Sequence, residues 1–184
     1  RPLVSLLDKA LVDINWEVVF VDDDSPDGTA DEVRELARTR LDVRVIHRIG
    51  RRGLSGACIE GILSSAAPYV AVMDGDLQHD ETVLISMIAS FNADPELNLV
   101  IGSRNVEGGS SGNGLSGMRN FGSDIATVMA RKLLKIQVQD PMSGFFMIKL
   151  ESFRDVVGEL QRQGFKILTG LLSASRGSWK IKEI

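Results

Sequence analysis

Two carboxylates separated by one glycine follow a short apolar run in the middle of the chain. Tyr69 to Met73 is apolar, partly β-branched and free of Pro and Gly, which is typical of a buried strand. Asp74-Gly75-Asp76-Leu77-Gln78 follows directly. The glycine permits a sharp turn, so both carboxylates and the Gln78 carbonyl could converge. Such oxygen ligands suit Mg²⁺ or Mn²⁺, although Asp and Gly are also ordinary turn residues.

Other polar residues follow neighbouring predicted strands. The acidic stretch 22–28 comes after the apolar run 16–21, and Arg104 comes after the run 97–101. Ligands of open parallel sheets bind beyond the carboxyl ends of the strands, so we expect these residues to share one edge. Carboxylates beside arginines suit a metal-bound diphosphate, with Arg104 and Arg119 as candidates for the phosphates. Solvated surface arginines are the alternative.

Several other kinds of site are excluded by spacing. Asp23-x-Ser25-x-Asp27-Gly28 begins like a calcium loop, but its twelfth position is Arg34 instead of a bidentate Glu. Gly50-x-x-Gly53-x-x-Gly56 lacks the glycine order of a dinucleotide site, and there is no Walker A sequence. The two histidines, His47 and His79, lie far from any Gly-x-Ser-x-Gly elbow. We expect His47 to be structural and His79 to neighbour the proposed metal ligands.

The elements that would position these residues alternate along the chain. Helical periodicity marks 3–12, 29–37, 53–65, 83–91, 116–135 and 153–160, and strand-like runs are 16–21, 43–46, 69–73, 97–101, 145–149 and 179–184. Thr29-x-x-Glu32 is typical of a capping box, and the Gly/Ser-rich stretch 106–117 of a surface loop. This alternation predicts an α/β fold with a mostly parallel sheet covered by helices on both faces.

Size and composition narrow the class of protein. With 184 residues and 43% hydrophobic residues, we expect one domain over 1–184. The net charge of −4 argues against a general nucleic-acid binder. The single cysteine, Cys58, cannot form an intramolecular disulfide, and it lies on a helical stripe, so we expect a small core residue. No apolar run approaches the roughly 18 to 20 residues that span a bilayer.

Four segments together resemble the family 2 glycosyltransferases of GT-A fold, and within them the dolichol- or polyprenyl-phosphate mannose synthases. The segments are Val21-Asp22-Asp23-Asp24-Ser25-Pro26-Asp27-Gly28-Thr29, Met73-Asp74-Gly75-Asp76-Leu77-Gln78-His79, Gly102-Ser103-Arg104 and Asp140-Pro141-Met142-Ser143-Gly144-Phe145-Phe146. The resemblance covers nearly the whole chain, in order. It implies the Rossmann-like fold of nucleotide-diphospho-sugar transferases.

The resemblance also implies a role for each matching residue. Asp76 and Gln78 would hold Mg²⁺ or Mn²⁺, and Asp23, with the backbone near Val21, would contact the donor's base or ribose. The full set of implied donor-binding residues is Val21, Asp23, Asp74, Gly75, Asp76, Gln78, Arg104 and Arg119. Implied catalytic residues are Asp76, Asp140 and Arg119. Asp140 would orient acceptor or metal, although an Asx-type turn before Pro141 is its alternative.

The implied reaction is an inverting transfer of a hexose to a polyprenyl phosphate at the cytoplasmic face of a membrane. GDP-mannose is the favoured donor, with UDP-glucose as another possibility. The family's opening strand, with Pro-x-x-Asn-Glu, and its acceptor-loop segment have no counterpart here, so we expect a fragment truncated at both ends, and membrane association in the intact protein. A nucleotidyltransferase of similar fold and a nucleotide-sugar-binding module without turnover remain alternatives.

Overall fold

The chain folds into alternating helices and strands. The structure is a computed structural model that describes residues 2–103, 138–161 and 166–184. Its helices are α1 Pro2–Ala10, α2 Thr29–Ala37, α3 Leu54–Leu63, α4 Val83–Ala93, α5 Leu150–Val156 and α6 Ile167–Ala174, with a 3₁₀ turn at Val157–Glu159. Its strands are β1 Val18–Asp22, β2 Val43–His47, β3 Tyr69–Val72, β4 Leu97–Ile101, β5 Phe146–Lys149 and β6 Lys180–Glu183.

These strands form two groups. β1 and β2 pair in parallel, and a four-stranded sheet has the order β3-β5-β4-β6. β4 and β6 are parallel, whereas β5 runs antiparallel to both of its neighbours. The described part of the sheet is therefore mixed, which differs from the expected mostly parallel arrangement. β5 lies between β3 and β4 in the sheet although it follows both in sequence, and an antiparallel strand does not need the crossover connection that parallel neighbours require.

Helices cover both faces of the four-stranded sheet, as expected for an α/β fold. Successive side chains of a strand point to opposite faces. On one face, Phe146 and Ile148 of β5 pack in a buried cluster with residues of α3, α5 and α6. On the other face, Met147 packs with leucines of α1 and with Met87 of α4. The sheet therefore forms the middle of three layers, and its strand ends are the part left open to solvent.

Two helices begin with the same short motif. Asp27 Oδ1 accepts hydrogen bonds from the Thr29 backbone N–H (3.0 Å) and hydroxyl (2.7 Å) at the start of α2. Asp80 Oδ1 accepts the same pair from Thr82, at 2.9 and 2.6 Å, before α4. An aspartate two residues before a threonine thus satisfies a backbone donor at each helix start. The Thr29 hydroxyl is consequently used by Asp27 and not in the expected capping box.

Some predictions concern residues outside the described ranges, namely Arg104, Arg119, the loop 106–117 and the helix 116–135. The single domain over 1–184 also stays a prediction. Within the described ranges, no helix is both long and apolar enough to cross a bilayer.

Candidate functional site

The ends of five strands meet at one edge of the molecule. The register of β1 and β2 pairs Asp22 with His47, so the residues that follow, Asp23 and Arg48, are adjacent. At the end of β4, Gly102 donates its backbone N–H to the Phe145 carbonyl at 2.9 Å. Because β5 is antiparallel to β3 and β4, its amino end, with the preceding loop 140–145, lies at the same edge as their carboxyl ends.

Asp23 is held by two neighbours at this edge. Its Oδ1 accepts a hydrogen bond from Arg48 Nη1, and its Oδ2 accepts the Gly53 backbone N–H at 2.7 Å. The Arg48 side chain is only 5% exposed, and its Nε also donates to Glu60 Oε1 at 3.3 Å. Arg51 contacts the same Glu60 oxygen at 2.7 Å. The Asp23 carboxylate therefore has a fixed orientation, with 27% of its side chain exposed.

Asp74 packs against the loop that precedes β5. A methyl group added at Gly144 would lie only 2.8 Å from Asp74 Oδ2, so a glycine is required for this approach. His79 Nε2 lies 3.5 Å from the same oxygen, and the His79 ring packs on Phe145 with centroids 5.0 Å apart. The structure thus brings Asp74 and the 140–145 loop together, and it places His79 beside Asp74.

Asp76 and Gln78 lie in an exposed turn immediately beyond Asp74. Asp76 Oδ1 accepts the Gln78 backbone N–H at 3.1 Å, and Leu77 between them has a φ of 64°, a left-handed conformation that costs free energy in a residue with a Cβ. Among the described residues, no three His, Cys, Asp or Glu side chains converge as metal ligands. A few exposed oxygen ligands that leave room for water and phosphate nevertheless fit Mg²⁺ or Mn²⁺.

A cavity of about 690 Å³ lies between β1 and β3. Every residue of both strands lines it, and since alternate residues point to opposite faces, the cavity must run along the edges of the strands. Within the described ranges, β1 pairs with β2 alone and β3 with β5 alone. Val21, Asp74 and Gly75, three of the expected donor-binding residues, line this cavity.

Cys58 of α3 lies near both acidic loops. Burial raises the pKa of its thiol to about 11, and the negative charges of Asp74 and Asp23 contribute to this rise, while Arg48 opposes it. The thiol is therefore protonated at neutral pH, as expected for a core residue and not for a nucleophile. Because the charges of Asp23 and Asp74 both act on this thiol, both acidic loops lie near α3.

The loop before β5 is held by buried polar contacts. Glu183 of β6 accepts the backbone N–H groups of Gln139 at 2.7 Å and Asp140 at 2.9 Å. Asp140 is buried, and its Oδ1 accepts the Met142 N–H at 3.3 Å, which is the geometry of an Asx-type turn around Pro141. The Ser143 hydroxyl donates to the Gly102 carbonyl at 2.7 Å. These contacts fix Asp140 at the same edge as Asp74.

His47 has a structural environment, as expected. Arg34 Nη2 lies 2.7 Å from His47 Nδ1, and because a guanidinium only donates, Nδ1 must accept. The proton is therefore on Nε2, which donates to Asp24 Oδ1 at 2.8 Å. Asp24 has a φ of 62°, so His47 stabilises a strained residue of the acidic loop.

Sequence reasoning missed two residues of this edge, Arg48 and Glu183. Arg48 could have been found from its position, because it directly follows a strand just as Asp23 does. That Arg48 and Asp23 are adjacent follows from the register between β1 and β2, which the sequence alone does not reveal. Glu183 looked like one residue of a terminal strand, and no local pattern indicated that it binds the loop 139–140.

Solved structures with the same α/β architecture define the class of fold. Glucosyl-3-phosphoglycerate synthase from Mycobacterium tuberculosis, solved with Mn²⁺, UDP-glucose and phosphoglyceric acid, has a TM-score of 0.64 and 19% identity, covering 98% of this chain and 63% of that one. A mannosyltransferase from Pyrobaculum calidifontis, solved with GDP-Man and Mn²⁺, has a TM-score of 0.59 and 17% identity, covering 98% and 51%. The expected GT-A class of α/β fold is confirmed.

Sequence comparison then gives the family. The Glycosyl transferase family 2 model matches residues 3–157, so the chain belongs to glycosyl transferase family 2. It is 37% identical over 183 residues to a dolichol-phosphate mannosyltransferase of Pyrococcus furiosus, covering 99% of this chain and 50% of that protein. An undecaprenyl-phosphate mannosyltransferase of Micrococcus luteus is 31% identical over 143 residues, covering 76% and 57%. The chain thus spans about half the length of these relatives.

Proposed function

We propose that this chain is the donor-binding part of an inverting, divalent-metal-dependent glycosyltransferase that transfers a hexose from a nucleotide sugar to a polyprenyl phosphate. The observation that carries the proposal is the 37% identity to a dolichol-phosphate mannosyltransferase over 99% of the chain. The undecaprenyl-phosphate relative supports the same class of acceptor. Mannose from GDP-mannose is the favoured donor sugar, and the proposed site of action of the intact protein is the cytoplasmic face of a membrane, where a lipid acceptor would be available.

The donor would lie along the edge formed by the strand ends. In this proposal Val21 and Asp23 contact the base or ribose, and Asp74 and Gly75 line the donor. The cavity that touches Val21, Asp74 and Gly75, and the proximity of both acidic loops to Cys58, support this placement. Arg104 and Arg119 are proposed for the donor's phosphates.

Asp76 and Gln78 are proposed to hold Mg²⁺ or Mn²⁺. Two solved proteins of this fold contain Mn²⁺ together with a nucleotide sugar. When bound, such a cation would neutralise charge on the departing diphosphate. Asp76 and Gln78 provide oxygen ligands in an exposed turn, and Asp74, held by Gly144 and His79, would keep the donor's sugar next to that turn.

The acceptor provides its own nucleophile in this mechanism. A phosphate monoester has a second pKa of about 6 and is already anionic near neutral pH, so no strong general base is needed. A phosphate oxygen attacks the anomeric carbon in line, the bond from that carbon to the diphosphate oxygen breaks, and the configuration inverts. Buried Asp140, fixed by Glu183 and the Asx-type turn, is proposed to orient the acceptor. Positioning and charge neutralisation would supply most of the rate enhancement.

A transfer assay tests the proposal. The intact protein is incubated with GDP-mannose or UDP-glucose, dolichyl or undecaprenyl phosphate in detergent, and Mn²⁺, Mg²⁺ or EDTA. We expect a lipid-linked sugar and one nucleoside diphosphate per transfer, and no product with EDTA. Release of pyrophosphate would identify a nucleotidyltransferase instead, and donor binding without any product would favour a binding module.

Replacement of the proposed metal ligand provides the first testable prediction. Asp76→Asn removes a carboxylate charge without changing side-chain size, and we expect transfer to fall by at least roughly a hundredfold. Asp27→Asn is the matched control, because Asp27 is also exposed but is occupied at the start of α2, and an amide oxygen can still accept those bonds. Full turnover by Asp76→Ala, which leaves no oxygen ligand on the side chain, would exclude Asp76 as a metal ligand.

A further inference from the structure

Arg48 is a buried cation that lies between two carboxylates. Only 5% of its side chain is exposed, and a buried guanidinium is costly unless it is paired and hydrogen-bonded. Nη1 donates to Asp23 Oδ1 and, at 3.2 Å, to the Gly53 carbonyl, while Nε donates to Glu60. These groups come from the loops after β1 and β2 and from α3.

The contacts close a ring around the Asp23 carboxylate. Gly53 accepts from Arg48 through its carbonyl and donates through its N–H to Asp23 Oδ2, so each carboxylate oxygen already has one donor. A carboxylate oxygen can accept more than one hydrogen bond, and 27% of the Asp23 side chain remains exposed. Asp23 is therefore held rigidly and can still accept a hydrogen bond from a ligand.

The strand register explains why Arg48 occupies this position. The Arg48 backbone N–H donates to the Asp22 carbonyl at 2.8 Å, which extends the β1–β2 pairing by one residue. Arg48 is consequently fixed both by its backbone and by its side chain. Among the described residues, it is the most deeply buried Lys or Arg.

We propose that Arg48 is a positioning residue that orients the Asp23 carboxylate toward the nucleoside of the donor. This inference rests on the proposed donor role of Asp23. Because an ionised carboxylate only accepts hydrogen bonds, Asp23 would recognise a hydrogen-bond donor of the ligand, either a ribose hydroxyl or a base N–H. Arg48 would act through Asp23, without touching the ligand's phosphates.

Arg48→Lys tests this role, because lysine keeps the positive charge but cannot donate in the fixed fork of arginine. We expect binding of GDP with Mn²⁺, measured by calorimetry, to weaken roughly tenfold, while binding of inorganic pyrophosphate with Mn²⁺ stays unchanged. The matched control is Arg40→Lys, since Arg40 also pairs with two carboxylates, Asp8 and Asp42, but lies before β2 at the opposite strand end. Arg40→Lys should bind GDP as the wild type does.

Two further variants distinguish positioning from general stabilisation. In Arg48→Lys/Asp23→Asn, binding of GDP should be no weaker than in Asp23→Asn alone, because residues that act through one contact are not additive. Glu60→Gln removes the other partner of Arg48 and should lower the melting temperature while leaving GDP affinity within about twofold of the wild type. All titrations are run at a temperature at which circular dichroism shows each variant to be folded.

The outcomes separate this inference from the proposed function. A wild-type protein that binds neither GDP nor UDP in the presence of Mn²⁺ would contradict the proposed function itself. If the wild type binds GDP and Arg48→Lys binds equally well, the positioning role is overturned. Multiplied losses in the double variant would also overturn it, since they would mean that Arg48 acts without Asp23. A loss of affinity in Glu60→Gln as large as in Arg48→Lys would overturn it too, since it would mean that affinity follows the general stability of the cluster and not the orientation of Asp23.

Discussion

At the scale of single residues, the approach of Asp74 to Gly144 couples two parts of the site that are 70 positions apart in the sequence. The Asp74 side chain is 51% exposed, so its carboxylate is available to a ligand, yet one oxygen lies where a Gly144 side chain would be. The position of Asp74 therefore depends on the backbone of the loop before β5.

Gly144→Ala should displace the Asp74 carboxylate. The added methyl would lie 2.8 Å from Asp74 Oδ2, which is too close, and the exposed carboxylate can move more easily than the loop backbone. We expect GDP-mannose affinity in the presence of Mn²⁺ to fall roughly tenfold. The free energy of unfolding should fall by no more than about 3 kcal/mol. Gly158→Ala is the control, because nothing lies within 4 Å of the added methyl there. Unchanged affinity in Gly144→Ala would show that Asp74 does not need this position.

Individual site residues could be predicted only where they directly follow a predicted strand. Asp23 and Asp74 were expected at one edge because each follows an apolar run, and the structure places both beside Cys58. Arg48 has the same relation to β2, but an arginine is usually interpreted as a surface residue. Its burial depends on Asp23 and Glu60, which lie 25 and 12 positions away.

At the scale of secondary-structure elements, Arg40 links α1 to the start of β2. Its Nη1 and Nη2 donate to Asp8 of α1 at 2.6 and 2.7 Å, and Nη2 also contacts Asp42. Hydrogen bonds from Arg40 lower the pKa values of both carboxyls below the ordinary value of 3.8. The guanidinium also lies over the Trp16 ring, 5.7 Å from its centroid.

This link predicts a specific dependence of stability on pH. A carboxyl whose pKa is lower in the folded state stabilises the fold above its unfolded pKa, and that contribution disappears as the pH falls through the folded value. The melting temperature of Arg40→Met should therefore lie below that of the wild type at pH 7, and the difference should narrow as the pH falls below about 4. It should not vanish, because the contact with Trp16 does not titrate.

Arg38→Met is the comparison for this experiment. Arg38 pairs with Glu35 on the surface of α2, and its side chain is 74% exposed, so its ion pair should contribute little to stability. A difference for Arg40→Met that is constant between pH 7 and pH 2.5 would show that Asp8 and Asp42 are not involved.

The elements themselves were predicted more completely than their arrangement. Periodicity located all six described strands and five of the six described helices to within about four residues, but α6 had no predicted counterpart. α6 has buried pairs at Ile167, Leu168 and Leu171, Leu172, four residues apart, which is a helical signal on a segment of only eight residues. The direction of β5 depends on its place between β3 and β4, which local patterns do not contain.

At the scale of the whole molecule, family membership and fold class agree with the sequence-based resemblance, and the reaction remains a proposal. The chain spans about half of each relative, so residues beyond it could contribute to the acceptor site in the relatives. Its own described residues concentrate acidic side chains at one edge, with Asp23 and Asp74 both close enough to act on the Cys58 thiol. Binding of the donor is therefore the part of the proposed reaction that experiments on this chain can test.

The cavity between β1 and β3 has a consequence for hydrogen exchange. Successive residues of a strand direct their backbone N–H groups to alternate sides, so in β1 and β3 every second amide faces the cavity instead of a paired strand. Measured by NMR, amides of these strands should fall into alternating slow and fast classes, whereas those of β5, which has a partner on each side, should all exchange slowly. Uniform protection along β1 and β3 would instead reveal a further strand bound between them.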